Sequence, residues 1–226
     1  THISSPEPSA HAIAGMLNDV PATDGANVFI RQMQISSNDK KKGKPHLYTS
    51  GGYLDSSLFN RTYWQVGQAR TAGLMVMGDD CAYGVEVYAS RSRETVFTPG
   101  AGAYRLKCAL LKAPPAASKP KRRMKEPPAR WQQKLPIRVT ALVRAADTLF
   151  AAGLPDTRDS HTRWTNGRPC AGALAAFDAE TGKAIEQYKL PAPPVWDGMA
   201  AANGRLYIST DNGRILCMRP EDAANN

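Results

Sequence analysis

Residues 53–64, Tyr53-Leu54-Asp55-Ser56-Ser57-Leu58-Phe59-Asn60-Arg61-Thr62-Tyr63-Trp64, hold the densest mixture of aromatic and polar groups in the chain, and His46 lies just upstream. Arg61 carries a planar guanidinium that can hold a carboxylate or sulfate through two parallel hydrogen bonds. Tyr63 and Trp64 offer flat faces on which a sugar ring or another apolar surface can stack. With His46 and Asp55 they would form a polar, ligand-contacting pocket. The same residue types also suit a plainer role, an Asp–Arg pair tying down a long loop over packed aromatics, and both readings stay open.

A second cluster, Asp156, Arg158, Asp159, His161 and Arg163, falls in the polar segment 155–169. The near-neutral intrinsic pKa of imidazole would let His161 trade protons, although a loop between strands is polar without any such task. His161 therefore joins His46, Asp55, Arg61, Tyr63 and Trp64 as a ligand-contact candidate, and no residue is assigned a catalytic role. Asp178 and Asp211 sit in turn motifs that account for them without a metal. The chain contains no P-loop, GxSxG, HExxH, EF-hand or CxxCH pattern, so the enzyme classes that depend on those motifs gain no support.

Four cysteines, Cys81, Cys108, Cys170 and Cys217, are too widely spaced for a CxxC zinc or thioredoxin-like site. Two disulfides would fit an oxidising compartment. Alternatively, Cys108 and Cys217, each inside an apolar run, are small buried side chains. Lys and Arg (29) exceed Asp and Glu (20), leaving a formal charge of +9. Much of the excess gathers in Lys40-Lys41-Lys42-Gly43-Lys44 and in the proline-rich stretch Lys119-Pro120-Lys121-Arg122-Arg123-Met124-Lys125. Such runs suit an anionic polysaccharide or lipid surface as well as solvated loops. A nucleic-acid partner is disfavoured, since no recognition helix or aromatic-bearing sheet face accompanies them. No apolar run is long enough to span a bilayer as a helix.

The elements that must position these residues read as β-structure. Seventeen prolines and eighteen glycines beside 8% aromatics argue for many turns and short strands. Residues 28–35 alternate as one half-buried strand, 46–49 form another, and Gly51-Gly52 marks a turn. Strands follow at 74–77, 81–88 and 104–111, then at 137–142, 148–152, 172–178, 184–190, 199–202, 205–210 and 214–218. Asn203-Gly204 is a hairpin signal because both central positions of a type I′ turn need positive φ. The resulting divisions are an N-terminal arm (1–26), a first β region (27–112), a Pro/Lys-rich insertion or linker (113–130), a second β region (131–219) and a tail (220–226).

Ala173-Leu174-Ala175-Ala176-Phe177-Asp178-Ala179-Glu180-Thr181-Gly182-Lys183 resembles the strand, AxDxxTGK turn, strand unit of PQQ-like (quinoprotein alcohol dehydrogenase-like) β-propeller repeats. Trp196-Asp197-Gly198-Met199 with Asn203-Gly204-Arg205-Leu206-Tyr207-Ile208-Ser209-Thr210 resembles the strand pair that follows it. Residues 47–55 and 60–64 are similar to a segment of large planctomycete-type propeller proteins. The resemblance implies an all-β fold of four-stranded antiparallel meanders arranged as propeller blades. It also implies PQQ with Ca²⁺, which the ligand motifs do not support: there are no adjacent cysteines, no calcium-ligand cluster and no regular spacing of Trp64, Trp131, Trp164 and Trp196. The family describes a blade shape shared by many functions, and no cofactor is assigned.

At about 40–45 residues per blade and about 4–8 blades per propeller, three to four blades are expected here, an incomplete set or the C-terminal part of a larger wheel. The start at Thr1 instead of Met fits a fragment or processed product. The expected function is a non-catalytic binding or scaffold module, periplasmic, secreted or of the cell envelope. Its partner would be another protein or the rest of the propeller, with carbohydrate or an anionic polymer as further candidates. The alternative is a fragment of a propeller enzyme, a quinoprotein-type oxidoreductase or a carbohydrate-active enzyme, with its site at the central mouth.

Overall fold

The computed structural model describes residues 21–23, 27–30, 33–35, 47–53, 60–66, 69–72, 74–86, 104–111 and 129–219. Seventeen strands and one helix occur among them: β1 (Ala22–Thr23), β2 (Val28–Ile30), β3 (Met33–Ile35), β4 (Leu47–Tyr53), β5 (Asn60–Val66), β6 (Ala69–Ala72), β7 (Met75–Met77), β8 (Cys81–Glu86), β9 (Arg105–Leu110), β10 (Ala129–Lys134), β11 (Ile137–Ala145), β12 (Thr148–Pro155), α1 (Arg158–Thr165), β13 (Gly172–Asp178), β14 (Ala184–Leu190), β15 (Pro194–Ala202), β16 (Arg205–Thr210) and β17 (Ile215–Met218). The chain is all-β. Its strands form five sheets among the described residues, each a meander in chain order: β1-β2-β3, β4-β5-β6, β7-β8-β9-β10, β11-β12-β13-β14 and β15-β16-β17. That exceeds the three to four blade-sized units expected from length, because three sheets have only three strands and some strands span three residues or fewer.

The chain divides into two compact units, Thr1–Glu86 with Arg91–Thr98 and Lys107–Arg130, and Val87–Ser90 with Pro99–Leu106 and Trp131–Asn226. In the first, Phe29, Leu47, Trp64 and Ala82 form a buried cluster flanked by Ala22, Met75, Met77 and Leu111. In the second, Ala152, Leu174, Leu190, Leu206 and Ile208 form another. β13 is buried along nearly its whole length, as its continuous apolar run Ala173-Leu174-Ala175-Ala176-Phe177 requires of a central strand. The edge strand β14 is exposed up to its last residue.

Turn chemistry sets many boundaries. Asn203 (φ 51°) and Gly204 (φ 67°) both adopt the left-handed conformation between β15 and β16, as the type I′ reading demands. Elsewhere the structure corrects the sequence reading. Residues 28–35 are two strands, with Val28 opposite Ile35 and Ile30 opposite Met33; alternation alone cannot reveal a reversal in its middle. Gly51 and Gly52 lie inside β4, paired with Thr62 and Arg61 of β5, so they continue a strand instead of turning the chain. β1 falls within the arm and pairs with β2, and Ala129 and Arg130 at the end of the Pro/Lys stretch already belong to β10.

The polar loop expected at 155–169 contains α1 instead. Thr157 caps it, its hydroxyl accepting the Ser160 amide at 3.2 Å. The helix closes with the Arg168 amide donating to the Arg163 carbonyl at 2.8 Å around the left-handed Gly167 (φ 65°), the pattern of a Schellman motif. Among the described residues no helix is long and apolar enough to cross a membrane.

Candidate functional site

His46 and Asp55 lie outside the described residues. Arg61 and Tyr63 occupy register positions in β5 opposite Gly52 and Ser50 of β4. Trp64 is only 4% exposed and packs in the cluster with Phe29, Leu47 and Ala82. It is a core residue and not a stacking platform, because its indole is the largest apolar body available to fill that small sheet-to-sheet space. His161 sits within α1.

The best-defined local chemistry surrounds the β13–β14 turn. The Asp178 carboxylate accepts the Thr181 hydroxyl at 2.6 Å and the Thr181 amide at 2.7 Å. These bonds hold its carboxyl below the ordinary carboxylate value, the hydroxyl contributing most. The Gly182 amide donates to the Asp178 carbonyl at 2.8 Å, and Gly182 takes φ 72°. Asp178 thus acts as a turn former.

Trp131, in β10, lies against this turn. Its Nε1–H donates to the Ala179 carbonyl at 3.0 Å, and a Cβ added to Gly182 would stand 2.4 Å from the indole Cε3. A glycine is needed there twice over, for the left-handed backbone and for the room. Irregular tryptophan spacing conceals this docking, because three strands and a helix separate its partners in sequence.

A second irregular feature is in β15, where the register breaks between Pro194, opposite Thr210, and Met199, opposite Ile208. The intervening Val195-Trp196-Asp197-Gly198 bulges, with Asp197 at φ 53° and Trp196 56% exposed. Such bulges re-aim side chains at sheet edges. Desolvation raises the Asp197 carboxyl above its ordinary value. Ile215, on β17, is 72% exposed.

All four cysteines are free. Cys81 and Cys108, on the neighbouring strands β8 and β9, are buried and share a thiol hydrogen bond. That bond is the main reason Cys81 is lowered to about 7, while Cys108 is pushed up by the same bond and by burial. Cys217 is exposed, against the expectation of a buried apolar thiol, because it lies on the edge strand β17.

Among the described residues no three His, Cys, Asp or Glu side chains converge as a metal cage.

No family model matches the chain, and no curated protein matches it. A solved structure, the crystal structure of the computationally designed Ika4 protein, is similar over 78% of this chain and 87% of its own, at 8% identity and a TM-score of 0.39. A likeness of that degree carries no argument about fold or function.

Proposed function

We propose that this chain is a set of PQQ-like propeller blades working as a non-catalytic binding or scaffold module of the bacterial cell envelope. The observation that carries the reading is Trp131 on the last strand of one meander, bonded to Ala179 and stacked on Gly182 in the AxDxxTGK-like turn of the next. Side-by-side packing of β11 and β15, the first strands of successive meanders, adds support, with the Thr140 hydroxyl donating to the Pro194 carbonyl at 3.1 Å. Blades placed with their first strands innermost are how a propeller surrounds its axis. Partner contact would then fall to the β15 bulge, where Val195 and Trp196 stand exposed, and to exposed Ile215 at the start of the edge strand β17; tryptophan is among the usual anchors of protein interfaces.

The test is a structure of the protein expressed from its complete natural gene, with calorimetric titration of the same sample with PQQ and Ca²⁺. The reading expects meanders arranged radially about one axis and no saturable heat. Stacking of the sheets as a sandwich would overturn the propeller, and stoichiometric quinone binding with dye reduction would overturn the non-catalytic role.

A further inference from the structure

Between the β11–β14 and β15–β17 sheets of the second unit lies a cleft of about 520 Å³. That volume is within the range of about 300–1,000 Å³ typical of small-molecule sites. Phe150, Leu174 and Met218 line it and belong to the apolar cluster that joins these two sheets. Its charge is unbalanced: Arg144, Arg205 and Arg219 line it against one carboxylate, Glu186. That carboxylate already accepts the Tyr188 hydroxyl. Among the described residues no carboxylate pairs with Arg205 or Arg219, and the Arg205 Nη1 reaches only the weak acceptor Sγ of Cys217, at 3.9 Å.

We propose that this cleft binds a small organic acid with an apolar body, the body on Phe150, Leu174 and Met218 and the anionic head on Arg205 and Arg219. A neutral apolar guest would gain nothing from the exposed guanidiniums of Arg205 and Arg219 at the rim. A cation would meet three arginines. An anionic head gains charge-assisted hydrogen bonds, about twice as strong as neutral ones, while its chain removes apolar wall from water. The inference concerns one pair of sheets and stands whether or not the blades belong to a closed wheel.

Three probes of equal alkyl length, decanoate, 1-decanol and decylammonium, decide it on the unmutated chain. Each is titrated against bound 1-anilinonaphthalene-8-sulfonate, followed by its fluorescence. Decanoate should displace the dye at a concentration at least about tenfold below decanol, the factor expected of one charge-assisted bond, and decylammonium should be weakest. The paired change Arg205→Gln with Arg219→Gln should bring decanoate to the level of decanol and leave decanol unchanged. Equal displacement by decanoate and decanol, absence of saturable dye binding, or a decanoate preference that survives the paired change in a folded variant would each overturn the site. Should the variant fail to fold, the probe series on the unmutated chain alone gives the answer.

Discussion

Trp131 and Gly182 are matched surfaces: the indole occupies the space that any side chain at position 182 would need, with 2.4 Å between an added Cβ and the ring. Gly182→Ala should cost about 2–4 kcal/mol, combining left-handed strain with displacement of the ring. In a Trp131→Ala background the clash disappears and only the strain remains, about 1–2 kcal/mol. A double-mutant cycle from urea unfolding measures the difference. Equal costs in both backgrounds would mean that the contact does not form in solution.

Asp178 and Asp197 should give opposite pH signatures. The Asp178 carboxyl is depressed by its Thr181 bonds, so its contribution is full above the ordinary value of 3.8 and is lost as pH falls through its lower folded value. Asp178→Asn should flatten the acid limb of the melting-temperature profile. The Asp197 carboxyl is raised, so its contribution is full below 3.8 and declines as pH rises through the folded value. Asp197→Asn should stabilise slightly above that range and not below it; the amide is also well tolerated at the left-handed φ of this position.

Arg138 and Asp156 form a sequestered ion pair, at 3.0 Å with side chains 12% and 3% exposed. Arg138→Met should destabilise by about 3–5 kcal/mol, since Asp156 would keep its charge without this partner. Adding Asp156→Leu should recover part of the loss. Thermal unfolding of the two variants gives the comparison, and a single change within experimental error of wild type would contradict it.

Native alkylation should distinguish the thiols. Cys217 is exposed and should react with iodoacetamide first, whereas Cys81 and Cys108 should be modified only after denaturation. The lowered value of Cys81, about 7, increases its thiolate fraction, but burial blocks access. Peptide mass mapping after a short exposure reports the order directly.

Gly153 pairs with Val139 beside the irregular step in β11, and an added Cβ would fall 1.9 Å from the Arg138 carbonyl oxygen. Backbone cannot yield as a flexible side chain can. Gly153→Ala should therefore abolish cooperative melting of the second unit or cost more than about 3 kcal/mol, as read by circular dichroism.

Strand boundaries were most legible where turn chemistry and hydrophobic pattern agree. The runs 172–178, 184–190 and 205–210 coincide with β13, β14 and β16, each bounded by Asp-containing or Asn-Gly turns. Legibility failed where a local signal has two meanings. Gly51-Gly52 reads as a turn yet serves as strand, and the alternation of 28–35 hides a hairpin. The signals for α1 were present, a Thr157 cap, Gly167 and Pro169, but its hydropathy lacks an apolar stripe long enough to outweigh the loop-like composition. The Arg144, Arg205 and Arg219 cleft was not legible at all. Its residues are distributed from β11 to the end of β17, so only the packing of two sheets assembles them.

The α1 excursion leaves the surrounding ladder undisturbed: Gly153 pairs with Ala173 and Thr148 with Asp178 as though a tight turn joined them. The rungs keep one register on either side of the helix, and the exposed residues 166–169 that follow it, well past the Arg138–Asp156 pair in sequence, form a port for cargo. A reporter domain or recognition peptide grafted there would hang from two neighbouring strands at a point where loop lengthening costs little entropy.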